Sequence, residues 1–86
     1  MEEYLLTDHA LMEMRLRGIT EENVAQVMTS PEQKVNIRKG RTVYQSRLSF
    51  GEPPHLFLVR VFVDVDRKPN EVVTVYRTSK IAKYWR

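Results

Sequence analysis

Residues 56–78, LFLVRVFVDVDRKPNEVVTVYRT, decide how this chain folds. Phe57, Val59, Val61, Val63 and Val65 alternate along the first run and give one apolar face, the period-two signature of a strand. Residues 66–70, DRKPN, turn the chain, and residues 71–78 return as a second strand. On that return Thr74, Tyr76 and Thr78 share one side, with Val73 and Val75 on the other. Arg60 falls between Val59 and Val61, so it points away from the apolar face in the middle of a strand. An arginine there needs water, an anion or a carboxylate.

Upstream, residues 33–38 alternate through Val35 and Ile37, residues 38–41 (RKGR) form a turn, and residues 41–48 return, which makes a second hairpin. Residues 49–54, SFGEPP, read as a loop, with His55 a structural residue at the following strand's entry. Before the strands the period is helical. Thr7 caps a helix over residues 8–17 with Asp8 in its first turn, and Gly18 ends it. Thr20 caps a second helix, with Glu21 and Glu22 in its first turn, that Ser30-Pro31 stops. At the other end Ser79 is placed to cap a short helix, anchored in the core by Trp85. The predicted order is ααββββα in a single α+β domain over residues 1–86. In it, two N-terminal helices pack on the Val59–Val61–Val63 face of a four-stranded, mainly antiparallel sheet. The second face, bearing Arg60, Thr74 and Tyr76, is expected to stay at least partly open.

Eighty-six residues, 42% of them hydrophobic and 29% charged, suit one small soluble domain. The absence of cysteine excludes disulfides and thiolate zinc sites, and two histidines make a structural metal site improbable; no metal or cofactor is expected. The N-terminus MEEYLLTD lacks a signal-peptide core, and the longest near-apolar run, residues 56–65, contains Arg60 and Asp64. Neither a leader nor a membrane span is expected, and a cytoplasmic protein is. The net charge is +3. Eight of eleven acids fall at Glu2, Glu3, Asp8, Glu13, Glu21, Glu22, Glu32 and Glu52, whereas residues 34–47 and 77–86 are basic and free of acid. That split points to a basic patch for RNA or an acidic partner.

On the first helix, His9, Glu13 and Arg17 fall one turn apart along one stripe, with Ala10, Leu11 and Met14 on one flank and Met12 and Leu16 on the other. His9 is a candidate general acid or base. Glu13 and Arg17 carry the favourable order for a helix ion pair. His9 and Arg17 lie about 12 Å apart along the axis, too far to grip one phosphate together. Arg38, Lys39 and Arg41 crowd a hairpin tip, and Lys80, Lys83 and Tyr84 interleave cations with an aromatic ring; both sets are candidate nucleic-acid contacts.

The run His9-Ala10, Met14 and Arg17-Gly18-Ile19, followed by Thr20, Val24 and Pro31, resembles the small bacterial proteins known as domain of unknown function 4258, whose signature reads HAxxRMxxRGI. The ending VVTVYRTSKIAKYWR is similar to that family's last strand and tail. The resemblance implies the fold of RelE/ParE/BrnT-like toxins, within the barnase–EndoU–colicin–RelE group of metal-independent ribonucleases. It carries the family's histidine onto His9, its arginine before Gly-Ile onto Arg17, and its last-strand polar positions onto Thr74, Tyr76 and Arg77. Glu13 stands where the family has arginine, so the charge that would steady a phosphate is either lost here or supplied by Arg60 or Arg77. The expected function is a toxin-like, metal-independent endoribonuclease with His9, Glu13, Arg17, Arg60, Tyr76 and Arg77 as its catalytic set. RNA and a cognate antitoxin protein are the expected partners, and a homodimer is an allowed assembly. The alternative is a non-catalytic RNA- or protein-binding module on the same fold.

Overall fold

A computed structural model describes residues 3–86; Glu2, counted above among the N-terminal acids, lies outside the described residues. The elements are β1 (Tyr4–Leu6), α1 (Asp8–Leu16), α2 (Glu21–Thr29), β2 (Gln33–Arg38), β3 (Arg41–Phe50), β4 (His55–Asp64), β5 (Asn70–Thr78) and α3 (Ile81–Tyr84). The strands form one sheet in the order β1-β5-β4-β3-β2. The α+β class stands, but the sheet is five-stranded and mixed, which corrects the expectation of four mainly antiparallel strands. The extra strand, β1, pairs in parallel with β5, Tyr4 opposite Asn70 and Leu6 opposite Val72. Three residues are too few to display an alternation, and their partner lies more than sixty residues away, so no local signal marks them as a strand.

Thr7 joins this edge to the first helix. Its backbone N–H and its hydroxyl both donate to the Val72 carbonyl, at 3.1 and 3.0 Å, while the hydroxyl oxygen accepts from the Ala10 N–H. The same side chain thus caps α1 and ties it to β5. At the far end, Ile19 N–H donates to Met14 O and Gly18 N–H to Arg15 O, the Schellman arrangement, with Gly18 at φ +66°. Met14 and Ile19 are both buried beneath this turn. In α2, Thr20 and Asn23 exchange capping hydrogen bonds of 2.9 and 3.0 Å, and Val24 and Val27 face inward. These helices cover Tyr44, Val59, Val61, Val63, Val72 and Val75, as the valine alternation requires.

Four details depart from the sequence reading. Phe62 pairs with Thr74 but Val63 with Val72, so Val73 is the extra residue of a bulge and Val72, not Val73, joins Val75 in the core. Strand β3 continues through Phe50, leaving only residues 51–54 as the turn. Lys80, not Ser79, occupies the N-cap of α3 and makes no capping side-chain bond. Trp85 is half-buried rather than a core anchor, with the Arg47 guanidinium 4.4 Å above its ring.

The C-terminal segment crosses the face of the sheet that α1 and α2 leave uncovered. Gln33 Nε2 donates to Arg86 O at 2.7 Å, and Gln45 Nε2 donates to Tyr84 O at 3.2 Å. Arg47, whose guanidinium stacks on Trp85, grips Glu32 with two guanidinium hydrogen bonds of 3.0 and 2.8 Å. Those bonds and that charge hold the Glu32 carboxyl at about 2, against an ordinary 4.5.

Two outcomes follow from these contacts. Gly18→Ala forces a Cβ into the left-handed region where space itself is adequate, its nearest neighbour being Arg77 Nη2 at 3.8 Å. Unfolding in urea should therefore show a loss of about 1–2 kcal/mol, the cost of the backbone conformation alone; an unchanged midpoint contradicts the assigned turn. Because the Glu32 pKa is depressed on folding, its contribution to stability is complete above about pH 4.5 and disappears as pH falls toward about 2. A carboxyl-detected NMR titration should place Glu32 near the lower value, and Arg47→Ala should return it toward 4.5. Ordinary titration of Glu32 in the unaltered protein would contradict the pair.

Candidate functional site

Alternation along β4 places Val59 and Val61 under the helices and Arg60 on the opposite face. In register on either side stand Gln45 of β3 and Tyr76 of β5. Arg60 Nε donates to Gln45 Oε1 and Nη1 to the Tyr76 hydroxyl, both at 2.8 Å. Gln45 is fully buried and passes the chain on, its Nε2 donating to Gln33 Oε1 at 2.8 Å as well as to the Tyr84 carbonyl. Above the guanidinium, 4.4 Å away, lies the Tyr84 ring, with Phe62 and Tyr76 at 5.3 and 5.8 Å. Arg60 is only 6% exposed.

Among the described residues Arg60 has no carboxylate partner. Its Nη2 makes no hydrogen bond to the described residues, yet no buried side-chain nitrogen or oxygen among them lacks a partner. That atom therefore keeps a path to solvent. Beside it, Tyr84 and Tyr76 share a hydrogen bond that lowers the Tyr84 pKa from its ordinary 10.0 against the opposing effect of burial, and the charges of Lys83 and Arg60 lower it further. Lys83 Nζ sits 5.3 Å from the Tyr84 ring. The arrangement combines a desolvated cation with one open donor, a phenol of lowered pKa and an exposed ammonium. It can hold an anion and move a proton.

The sequence-predicted set does not converge on this point. His9 and Glu13 lie on α1 and Arg17 is its C-cap, across the sheet from Arg60. Glu13 Oε2 is taken by Arg17 Nε at 2.8 Å, while His9 Nε2 stands 3.9 Å from Glu13 Oε1 with 57% of its side chain exposed. Met12 and Leu16, read as one flank of this stripe, are exposed, Leu16 by 75%, so no apolar wall rises there. The stripe is a solvent-facing ladder of helix pairs. Arg77 pairs opposite Val59 and so lies on the helix side, its guanidinium 4.2 and 4.8 Å from the rings of Phe50 and Phe57. Of the six residues, Arg60 and Tyr76 meet on the open face, while His9, Glu13 and Arg17 meet one another on the helix side.

The basic segments are also divided. Arg41 Nε is bound to Asp64 Oδ1 at 2.7 Å, which lowers the Asp64 pKa. Arg38 and Lys39 remain exposed at that tip. At about 3.3 Å per residue, the four steps from Arg60 to Asp64 put this tip about 13 Å from the Arg60 row. Lys80, Lys83 and Tyr84 sit on the segment that crosses the row itself. Gln33 and Gln45 escaped the sequence reading: a glutamine in a strand carries no catalytic signature, and only the register makes Gln45 the neighbour of Arg60. No group of three His, Asp or Glu residues among those described could hold a metal, and no helix among them is long and apolar enough to cross a membrane.

Comparison with known proteins supplies a family and no closer relative. No curated protein and no solved structure matches the chain. Residues 6–77 match the model of a domain of unknown function (DUF4258), a span that includes His9, Arg60, Tyr76 and Arg77 but ends before Lys80. The match covers most of the chain, which therefore belongs to the DUF4258 family.

Proposed function

We propose that this chain is a toxin-type, metal-independent endoribonuclease whose phosphate site is Arg60. The observation that carries the reading is a buried guanidinium with no carboxylate partner among the described residues, one donor open to solvent, beside a phenol of lowered pKa. In this reading the scissile phosphate binds Arg60 Nη2 and the Lys83 ammonium. Tyr84, as phenolate, takes the proton of the adjacent 2′-hydroxyl. The 2′-oxygen attacks phosphorus, the bond to the 5′-oxygen breaks, and Lys83 returns a proton to that leaving oxygen. The products are a 2′,3′-cyclic phosphate and a 5′-hydroxyl. Arg60 stabilises the charge that gathers on the phosphoryl oxygens, and its low exposure strengthens that effect. The RelE/ParE/BrnT-like resemblance of the α1 motif supports a toxin role in the cytoplasm, neutralised by an acidic antitoxin protein.

One observation favours a second reading, a non-catalytic RNA-binding module: the Tyr84 ring covers Arg60 at 4.4 Å and restricts approach to it. A single set of assays separates the two. Cleavage of RNA by the purified protein in EDTA is the expected result, with a rate that rises with pH as Tyr84 loses its proton and levels off below pH 10. Tyr84→Phe should slow it by roughly 10²–10⁴ and remove the rising limb. His9→Ala, on the other side of the sheet, should keep the unaltered rate; a loss there equal to that at Tyr84 moves the chemistry to α1. Salt-sensitive binding without cleavage selects the second reading, and absence of both binding and cleavage overturns the two together.

A further inference from the structure

A second basic region lies away from the Arg60 row, on the helix side of the sheet, where the turn between β4 and β5 approaches the β2–β3 ladder. It is a groove of about 670 Å³ whose lining includes Lys34, Thr42, Val65, Arg67, Lys68 and Asn70, with Glu3 at one edge. The volume falls within the roughly 300–1,000 Å³ of small-molecule sites. The strand register explains the convergence. Lys34 pairs with Tyr44 and Thr42 with Val63, both on the helix-facing side, while β1 begins beside Asn70.

The charges in this groove are unbalanced. Three cations face one acid, Glu3, and none of Lys34, Arg67 and Lys68 forms an ion pair with a carboxylate among the described residues. Lys34 Nζ instead rests over the Tyr44 ring at 4.8 Å, which holds the ammonium at the wall without neutralising it. Of the two acids nearest the neighbouring hairpin tip, Asp64 is engaged in an ion pair and Asp66 acts on Arg41 through its charge. Asp64 is bound by Arg41, and the Asp66 carboxylate packs against Gly40, where an added Cβ would approach its oxygen to 2.7 Å. Arg67 does lower the Asp64 pKa through its charge, but Asp64 accepts its hydrogen bond from Arg41. Apolar surface is present too, from Val65, which is exposed, and Pro69.

We infer that this groove is a second anion site, taking a phosphate ester through Lys34, Arg67 and Lys68 while Val65 and Pro69 contact its sugar or base. Two ligands carry that chemistry, a free mononucleotide and the phosphate of a nucleotide chain. The inference is independent of the nuclease reading, because the groove shares no residue with the Arg60 row.

The test uses the intact protein labelled with ¹⁵N. Adenosine monophosphate, the phosphate-free control adenosine, and a short oligoribonucleotide are titrated in turn. The expected result is movement of the amides of Thr42, Val65, Arg67, Lys68 and Asn70 with adenosine monophosphate and none with adenosine. An oligoribonucleotide that moves the same amides at lower concentration assigns the site to a nucleotide chain; equal or weaker response assigns it to a free nucleotide. Removal of two charges by Lys34→Gln with Arg67→Gln should weaken binding by about tenfold or more. Both side chains are at the surface, and an unchanged peak dispersion confirms that the variant folds. Amide movements absent in both phosphate titrations, equal with adenosine, or undiminished in the double variant would overturn the inference. Unlike a failure at Tyr84, none of these results bears on RNA cleavage.

Discussion

A guanidinium held in the middle of a sheet loses most of its hydration, and around Arg60 that loss organises one whole face of the molecule. The Gln45 oxygen and the Tyr76 hydroxyl receive two of its donors, and three aromatic rings surround its plane. Satisfying Gln45 in turn draws in Gln33 and the carbonyl of Tyr84, and Gln33 fastens Arg86. The C-terminal segment is therefore fixed by polar contacts originating in one buried charge. A carboxylate would neutralise that charge more completely; none among the described residues pairs with it, which leaves a positive charge close to the surface of a basic protein.

The opposite face follows a different rule. There the fold is held by apolar burial under α1 and α2, and polar groups act only at the joints. Thr7 serves strand, cap and helix at once, and the Schellman turn at Gly18 buries Met14 against Ile19. The two faces are thus stabilised by unlike physics, and every candidate for chemistry must belong to one or the other. That division prevents His9 and Arg60 from acting on one phosphate, although both are striking choices for it when only the linear order is visible.

What could be read from the sequence tracks the range of the interactions concerned. The Thr7 and Thr20 caps, the Gly18 stop and the valine alternation of β4 are set by residues a few positions apart, and they were legible. Strand β1 was not, because three residues acquire their conformation from β5 across most of the chain. The bulge at Val73 depends likewise on the partner strand. For the site, alternation alone put Arg60 on the second face and Tyr76 beside it. Its cover by α3, its link to Gln45 and the exposure of Met12 and Leu16 required the tertiary packing. Arg77 illustrates the same limit: adjacent to Tyr76 in sequence, it faces the other way, onto Phe50 and Phe57.

The central claim is that Arg60 is an anion-binding group and not only the hub of a packing network. The most direct measurement is the salt dependence of RNA affinity for Arg60→Gln, taken at a temperature where thermal melting shows the variant folded. Its amide can still donate toward Gln45 or Tyr76, so the change removes the charge while keeping a hydrogen-bonding group in place. The account predicts binding weakened by about tenfold or more and a logarithmic salt slope reduced by about one. Unaltered affinity with an unaltered slope would contradict it and leave Arg60 a purely structural residue.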